Sequence, residues 1–116
     1  MAEFIEVAKA HEIAEGTMKK VIAWDREVLV ARVAGRFFCA DNLCPHLGGD
    51  LSAGVLNGTI ITCPMHHSRF DLSDGHVIRW TDLAGITLTI AKNQRPPRPL
   101  TLHPVRVEGD KILAAF

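Results

Sequence analysis

No tyrosine occurs anywhere in the 116 residues, and aromatic side chains of every kind make up only 6% of the chain. Any role that needs a phenolic hydroxyl is therefore excluded. No sign of charge prevails, because 13 lysines and arginines face 13 aspartates and glutamates. Nothing in that balance suggests a basic nucleic-acid-binding tail. Long apolar runs are missing too; the longest are a few residues, against the roughly 20 that a bilayer-spanning helix requires. The first residues carry Glu3 and Glu6 where a secretory leader would have a basic start and an apolar core. No secretory address is readable, and a reducing cytoplasm is the expected compartment. Cysteine is scarce at three residues, an odd number that cannot close into disulfides without remainder. In that compartment a cysteine cluster points to metal or redox chemistry rather than to a disulfide framework.

What remains is 47% apolar and 22% charged, the composition of an ordinary globule, and the length suits one domain, residues 1–116. Short strands punctuated by turns dominate, so the expected class is all-β, an antiparallel sandwich or barrel. Phe4–Ala8 is short and apolar. Lys19–Trp24 leads through Asp25-Arg26-Glu27 into Val28–Val33, a hairpin expected to be buried on both faces. Ala34-Gly35 turns the chain into Arg36–Ala40. Strand character pauses in the glycine-rich stretch Asp41–Gly58, returns at Thr59–Thr62, breaks at Cys63–Ser68 and resumes at Arg69–Leu72. A turn at Ser73-Asp74-Gly75 leads into His76–Trp80. Gly85–Ala91 alternates isoleucine and leucine with threonine, as a strand with one buried face would. Asn93–Pro99 holds three of the six prolines and reads as an extended loop. Val105–Glu108, the turn Gly109-Asp110 and Lys111–Phe116 form a closing hairpin.

Chemistry concentrates where the strands break. Cys44-Pro45-His46 and Cys63-Pro64-Met65-His66 each offer one sulfur and one nitrogen ligand at close spacing. Such a donor set suits tetrahedral zinc as well as iron and sulfide. Zinc fingers usually pair like with like, whereas each loop here is mixed. A two-iron cluster with two Cys on one iron and two His on the other explains the mixture if each loop spans the cluster.

Cys44-Pro45-His46-Leu47-Gly48-Gly49 and Cys63-Pro64-Met65-His66-His67-Ser68-Arg69-Phe70-Asp71 closely resemble the two boxes of a Rieske 2Fe-2S domain. The likeness extends to Asp50-Leu51-Ser52, the turn Ser73-Asp74-Gly75 and the closing Pro104–Asp110. Within the family the chain is most similar to the small ferredoxins that feed ring-hydroxylating oxygenases. The resemblance implies a Rieske fold with a small cluster-binding subdomain inserted at about residues 41–72. It implies one 2Fe-2S cluster per chain, with Cys44 and Cys63 on the inner iron and His46 and His66 on the outer. The implied activity is one-electron shuttling, with no catalytic set of its own, from an NAD(P)H-dependent flavoprotein ferredoxin reductase to a terminal oxygenase. The alternatives are a small subunit of a larger reductase, such as a nitrite reductase, or a structural or sensing metal module.

Mixed ligation has an electrical consequence. Two thiolates cancel the +2 of an oxidised core, so the site starts neutral and accepts an electron more readily than an all-cysteine site at −2. Reduction should make the two imidazoles more basic and link electron uptake to proton uptake at high pH. Two departures from the respiratory type tune this. The cysteines that brace its loops with a disulfide fall on Gly49 and Met65 here. Of its two hydroxyl donors to cluster sulfur, Ser68 matches one, but Phe70 stands where a tyrosine would supply the other. A potential near the low end of the family range, about −150 mV, is expected, held somewhat higher by Ser68. The segment Gly75–Pro99 is longer than in small relatives and reads as a longer edge hairpin or a contact surface.

The other candidates read as structural. His67 is a loop residue, and His11, His76 and His103 are scattered. Cys39 is a small buried thiol, and Trp24 and Trp80 serve packing. Arg69 and Asp71 suit local salt bridges or hydrogen bonds, while Asp41 and Asp50 suit turn chemistry.

Overall fold

The computed structural model describes residues 3–45, 48–65, 67–80 and 98–116. Among them eleven strands form three antiparallel sheets. The first joins β1 (Phe4–Lys9), β11 (Lys111–Ala115) and β10 (Val105–Glu108), in the order β1-β11-β10. The second runs β2 (Met18–Ala23), β3 (Arg26–Val33), β4 (Arg36–Asp41) and β9 (Leu102–His103). The third is small: β5 (Val55–Asn57), β6 (Ile60–Thr62), β7 (Arg69–Asp71) and β8 (Val77–Arg79). The expected strand at Gly85–Ala91 and most of the loop Asn93–Pro99 lie outside the described residues.

The second sheet is a wall between two cores, and the alternation of its side chains shows why. In β3, Val28 and Val30 point into a core shared with Ala8, Ile112 and Ala114 of the first sheet. Leu29 and Ala31 point the other way, into a core shared with Ile61 and Phe70 of the third. Consecutive side chains of a strand leave on opposite faces, so a run of four fully buried residues needs a layer on each side. β4 divides in the same manner, Cys39 to one core and Ala40 to the other.

Burial on both faces was expected of the whole β2–β3 hairpin, yet only β3 has it. β2 is an edge strand, where Lys19, Lys20 and Ile22 stand exposed. Charged side chains on an edge suit solvent and discourage pairing with another chain. The turn is also shorter than expected: Trp24-Asp25 suffices, with Trp24 in the left-handed region (φ 58°). Strand β5, inside the glycine-rich stretch Asp41–Gly58, and the two-residue β9 were not expected.

Ala34 and Gly35 both have positive φ (52° and 76°), as a tight hairpin turn demands. Their N–H groups donate to the two carboxylate oxygens of Glu15, at 2.6 and 2.8 Å. These bonds, that from Gly35 first, hold the Glu15 pKa below its ordinary value. A carboxylate lowered in the folded state stabilises above its unfolded pKa, and that contribution disappears as pH falls through the folded one. Glu12, Asp50, Asp71, Asp74 and Asp110 are lowered as well. The fold should therefore lose stability progressively below about pH 4. A denaturation midpoint followed against pH should show a shallower acid limb in Glu15→Gln than in the parent chain.

Candidate metal centre

Two loops at one end of the third sheet carry the expected ligands, and both close in the same way. In the first, the N–H of Cys44 donates to the carbonyl of Gly49 at 2.8 Å, and Gly48 (φ 77°) turns the chain back. In the second, which caps the β6–β7 hairpin, the N–H of Cys63 donates to the carbonyl of Ser68 at 2.8 Å. Each cysteine thus opens a loop whose closing carbonyl lies five residues on. Both are buried, Cys44 at 3% and Cys63 at 2% exposure, in the core that contains Leu29, Ala31 and Ala40. Among the described residues no disulfide joins any cysteine.

The loops meet at Gly49. A Cβ built there would fall 2.7 Å from the Cys63 sulfur and 2.9 Å from the Met65 sulfur, so only glycine lets them approach this closely. The positions read as lacking a bracing disulfide, Gly49 and Met65, are indeed in contact. A paired-loop cradle with two buried soft donors, walled by apolar side chains, fits an iron-sulfur core. His46 and His66 lie outside the described residues. Among the described residues alone, no group of three or more His, Cys, Asp or Glu side chains converges.

Behind the first loop lies a residue that no motif singles out. Asn42 is fully buried, and its side-chain amide donates to Glu27 Oε1 at 2.7 Å and Asp50 Oδ1 at 2.8 Å. Its side-chain oxygen accepts the N–H of Ser52 at 2.9 Å, its own N–H donates to the Glu27 carbonyl, and its carbonyl accepts the N–H of Leu51. Asp50 in turn caps the 3₁₀ turn Leu51–Ala53, so turn chemistry explains it. Hydrogen bonds from the Ser52 hydroxyl and from Asn42 hold its pKa down. Asn42→Ala should cost about 1–2 kcal/mol in denaturant titration, since it removes three hydrogen bonds to part-buried partners at the base of the first loop.

Behind the second loop, Arg79 donates from Nε and from a terminal nitrogen to the carbonyl of His67, at 3.1 and 3.0 Å. That clamp holds His67 in the left-handed region (φ 58°). Ser68 is buried, and its hydroxyl donates to the backbone carbonyl of Trp80 at the end of β8. Phe70 is fully buried, edge-on to Trp80 with ring centroids 6.4 Å apart. Phe70 brings no hydroxyl donor to this site.

The remaining candidates find local partners. His11, His76 and His103 pair with Asp110, Asp74 and Asp41, and only His103 of the three is buried. Asp71 accepts the N–H and hydroxyl of Ser73, and Arg69 is an exposed member of β7. Trp24 is exposed against Phe116, while Trp80 is core. Cys39 sits in the opposite core, where burial and then the Asp41 charge push its thiol pKa up to about 12. It lies on the opposite side of the second sheet from Cys44 and Cys63, as a packing thiol would.

A family model of the Rieske 2Fe-2S domain matches residues 3–92. The chain belongs to that family. The Rieske chain is 30% identical over 111 residues to the ferredoxin component of the naphthalene 1,2-dioxygenase system of Pseudomonas aeruginosa, covering 96% of this chain and 93% of that one. Among solved structures it is similar to the ferredoxin of carbazole 1,9a-dioxygenase from Nocardioides aromaticivorans IC177. There the TM-score is 0.76 at 25% identity, over 96% of this chain and 95% of that one. A complex of reduced oxygenase and oxidised ferredoxin in carbazole 1,9a-dioxygenase matches likewise, with TM-score 0.76 and 25% identity over 97% and 92% of the chains. The antiparallel all-β fold is that of Rieske ferredoxins, and the cofactor of this Rieske chain is a 2Fe-2S cluster.

Proposed function

We propose that this Rieske protein is a one-electron carrier that takes electrons from an NAD(P)H-dependent flavoprotein reductase and delivers them to a terminal ring-hydroxylating oxygenase. Cys44, His46, Cys63 and His66 hold the cluster, one per chain, in a subdomain of about residues 41–72 within a single domain. The cluster, when bound, supplies a centre that gains and loses one electron. The observation that carries the reading is the pair of matched loops meeting at Gly49, each opened by a buried cysteine. Similarity to ferredoxin components of dioxygenase systems, one of them in complex with its oxygenase, supports the choice of partners.

The chain's own residues do the positioning. Asn42 and Arg79 hold the two loops from behind, and the apolar wall of Leu29, Ala31 and Ala40 keeps water from the sulfur side. Next to the cysteines Leu43 and Met65 stand exposed as apolar contacts for a partner, with Asp41 and Arg98 on the same surface beside Leu43 and Cys44. Among the described residues no helix is long and apolar enough to cross a membrane. The proposed place of action is the cytoplasm.

Elemental analysis tests the ligand set, with two irons and two sulfides per chain expected. One zinc in a colourless protein would overturn it. In variants that still assemble, His46→Cys or His66→Cys should each lower the reduction potential by on the order of 100 mV, because a thiolate adds negative charge where an imidazole was neutral. An unchanged potential would contradict the ligand assignment.

A further inference from the structure

We propose that Met65 is a thioether clasp between the two cysteine loops and the residue through which hydroperoxides release them. The inference rests on the reading that Cys44 and Cys63 hold the cluster. Of the three methionines, Met18 lies in β2, half-buried against the core of the third sheet, whereas Met65 stands at the tip of the second loop with 53% of its surface exposed. Exposure is not idleness here. The space beside the buried Gly49 is filled by Met65 Sδ and Cγ and by the Cys63 sulfur, at 2.9, 3.1 and 2.7 Å from the position a Cβ would take. The thioether therefore lies across the backbone of the first loop, beside the Cys63 sulfur, on a side chain that is half exposed.

A flexible, polarizable, apolar group suits such a seam. The same sulfur is a nucleophile on a side chain half exposed to solvent. Its lone pair attacks one oxygen of hydrogen peroxide, an S–O bond forms as the O–O bond breaks, and the second oxygen leaves as water. Sulfur loses two electrons, the peroxide gains them, and the product is methionine sulfoxide. The new oxygen is strongly polar and larger than the lone pair it replaces. It cannot stay packed against Gly49 and Cys63, so the side chain swings out, the seam opens, and Cys63 loses its cover from solvent.

The test treats the purified holoprotein with limiting hydrogen peroxide, follows its visible absorbance, and maps its methionines by mass spectrometry. Met65 should gain one oxygen roughly tenfold faster than Met18. Absorbance should fall several-fold faster in the parent than in Met65→Leu, which keeps the apolar clasp without the oxidisable sulfur. Met65→Gln, a polar group of similar length, should lose absorbance faster than the parent with no peroxide added. Met18 keeping pace with Met65, or Met65→Leu bleaching at the parent rate, would overturn the proposal; the latter would mean that peroxide attacks the cluster directly. A chain that purifies without iron and sulfide would refute the ligand reading instead. The mapping of Met65 against Met18 would still decide this one.

Discussion

Cys63→Ser is expected to purify as a colourless protein with no bound iron or sulfide, and Cys44→Ser to do the same, whereas Cys39→Ala keeps the full complement. All three cysteines are buried, so accessibility does not separate them. Their surroundings do. Cys44 and Cys63 open the two loops that meet at Gly49, while Cys39 lies on the far side of the second sheet, its thiol pKa raised to about 12. A serine hydroxyl stays protonated at neutral pH and is a hard donor, poorly matched to iron already bonded to sulfide. The loss should be complete, read as iron per chain and visible absorbance. Loss of iron from Cys39→Ala with the two serine variants intact would reverse the assignment.

Gly54→Ala is expected to be strongly destabilising, because a methyl group there meets the closest obstacle at any described glycine. A Cβ there would lie 1.9 Å from the Thr62 carbonyl oxygen, with the Thr62 carbon and the Leu51 oxygen at 3.1 and 3.2 Å. The backbone of Gly54 is extended (φ −86°), so an alanine has no conformational objection and the whole cost is collision. The obstacle is main chain, which cannot rotate aside as a side chain would. We expect about 3 kcal/mol of destabilisation, at the upper end for overpacking, or a midpoint lower by about 10 °C in a chain of this size. The carbonyl that must yield belongs to the residue before Cys63, so a variant that folds should also hold its cluster less well. Gly16→Ala is the contrast. Its φ is +77° but nothing lies within 4 Å of its Cβ position, so its cost is the left-handed strain alone, roughly 1 kcal/mol. Equal midpoints for the two variants would show that the Thr62 carbonyl moves freely.

Where local pattern carries information, the sequence was legible. β1, β3, β4, β10 and β11 announce themselves by alternation or by a continuous apolar run bounded by turns. β5 does not, because three residues between Gly54 and Gly58 are too few for a period to register. β9 is two residues long and exists only because Cys39 and Ala40 pair with it. The two cysteine loops were readable from their spacing. Their supports were not, since Asn42 acquires its meaning from Glu27, fifteen residues earlier, and Arg79 from the carbonyl of His67. Ser68 shows the same limit from the other side. The presence of a hydroxyl is written in the sequence, but its direction is decided by a backbone carbonyl twelve residues away, at Trp80.

The shared position of β3 bears on how the molecule comes apart. Val28 and Val30 belong to one core and Leu29 and Ala31 to the other, yet the four are consecutive links of one strand. Neither core can melt while the strand stays ordered, and the strand cannot disorder without dissolving both. The cluster end and the base end are thereby one cooperative unit rather than two foldons. Damage far from the metal, in the first sheet, reaches the cysteines as a loss of the whole fold and not as a local loosening.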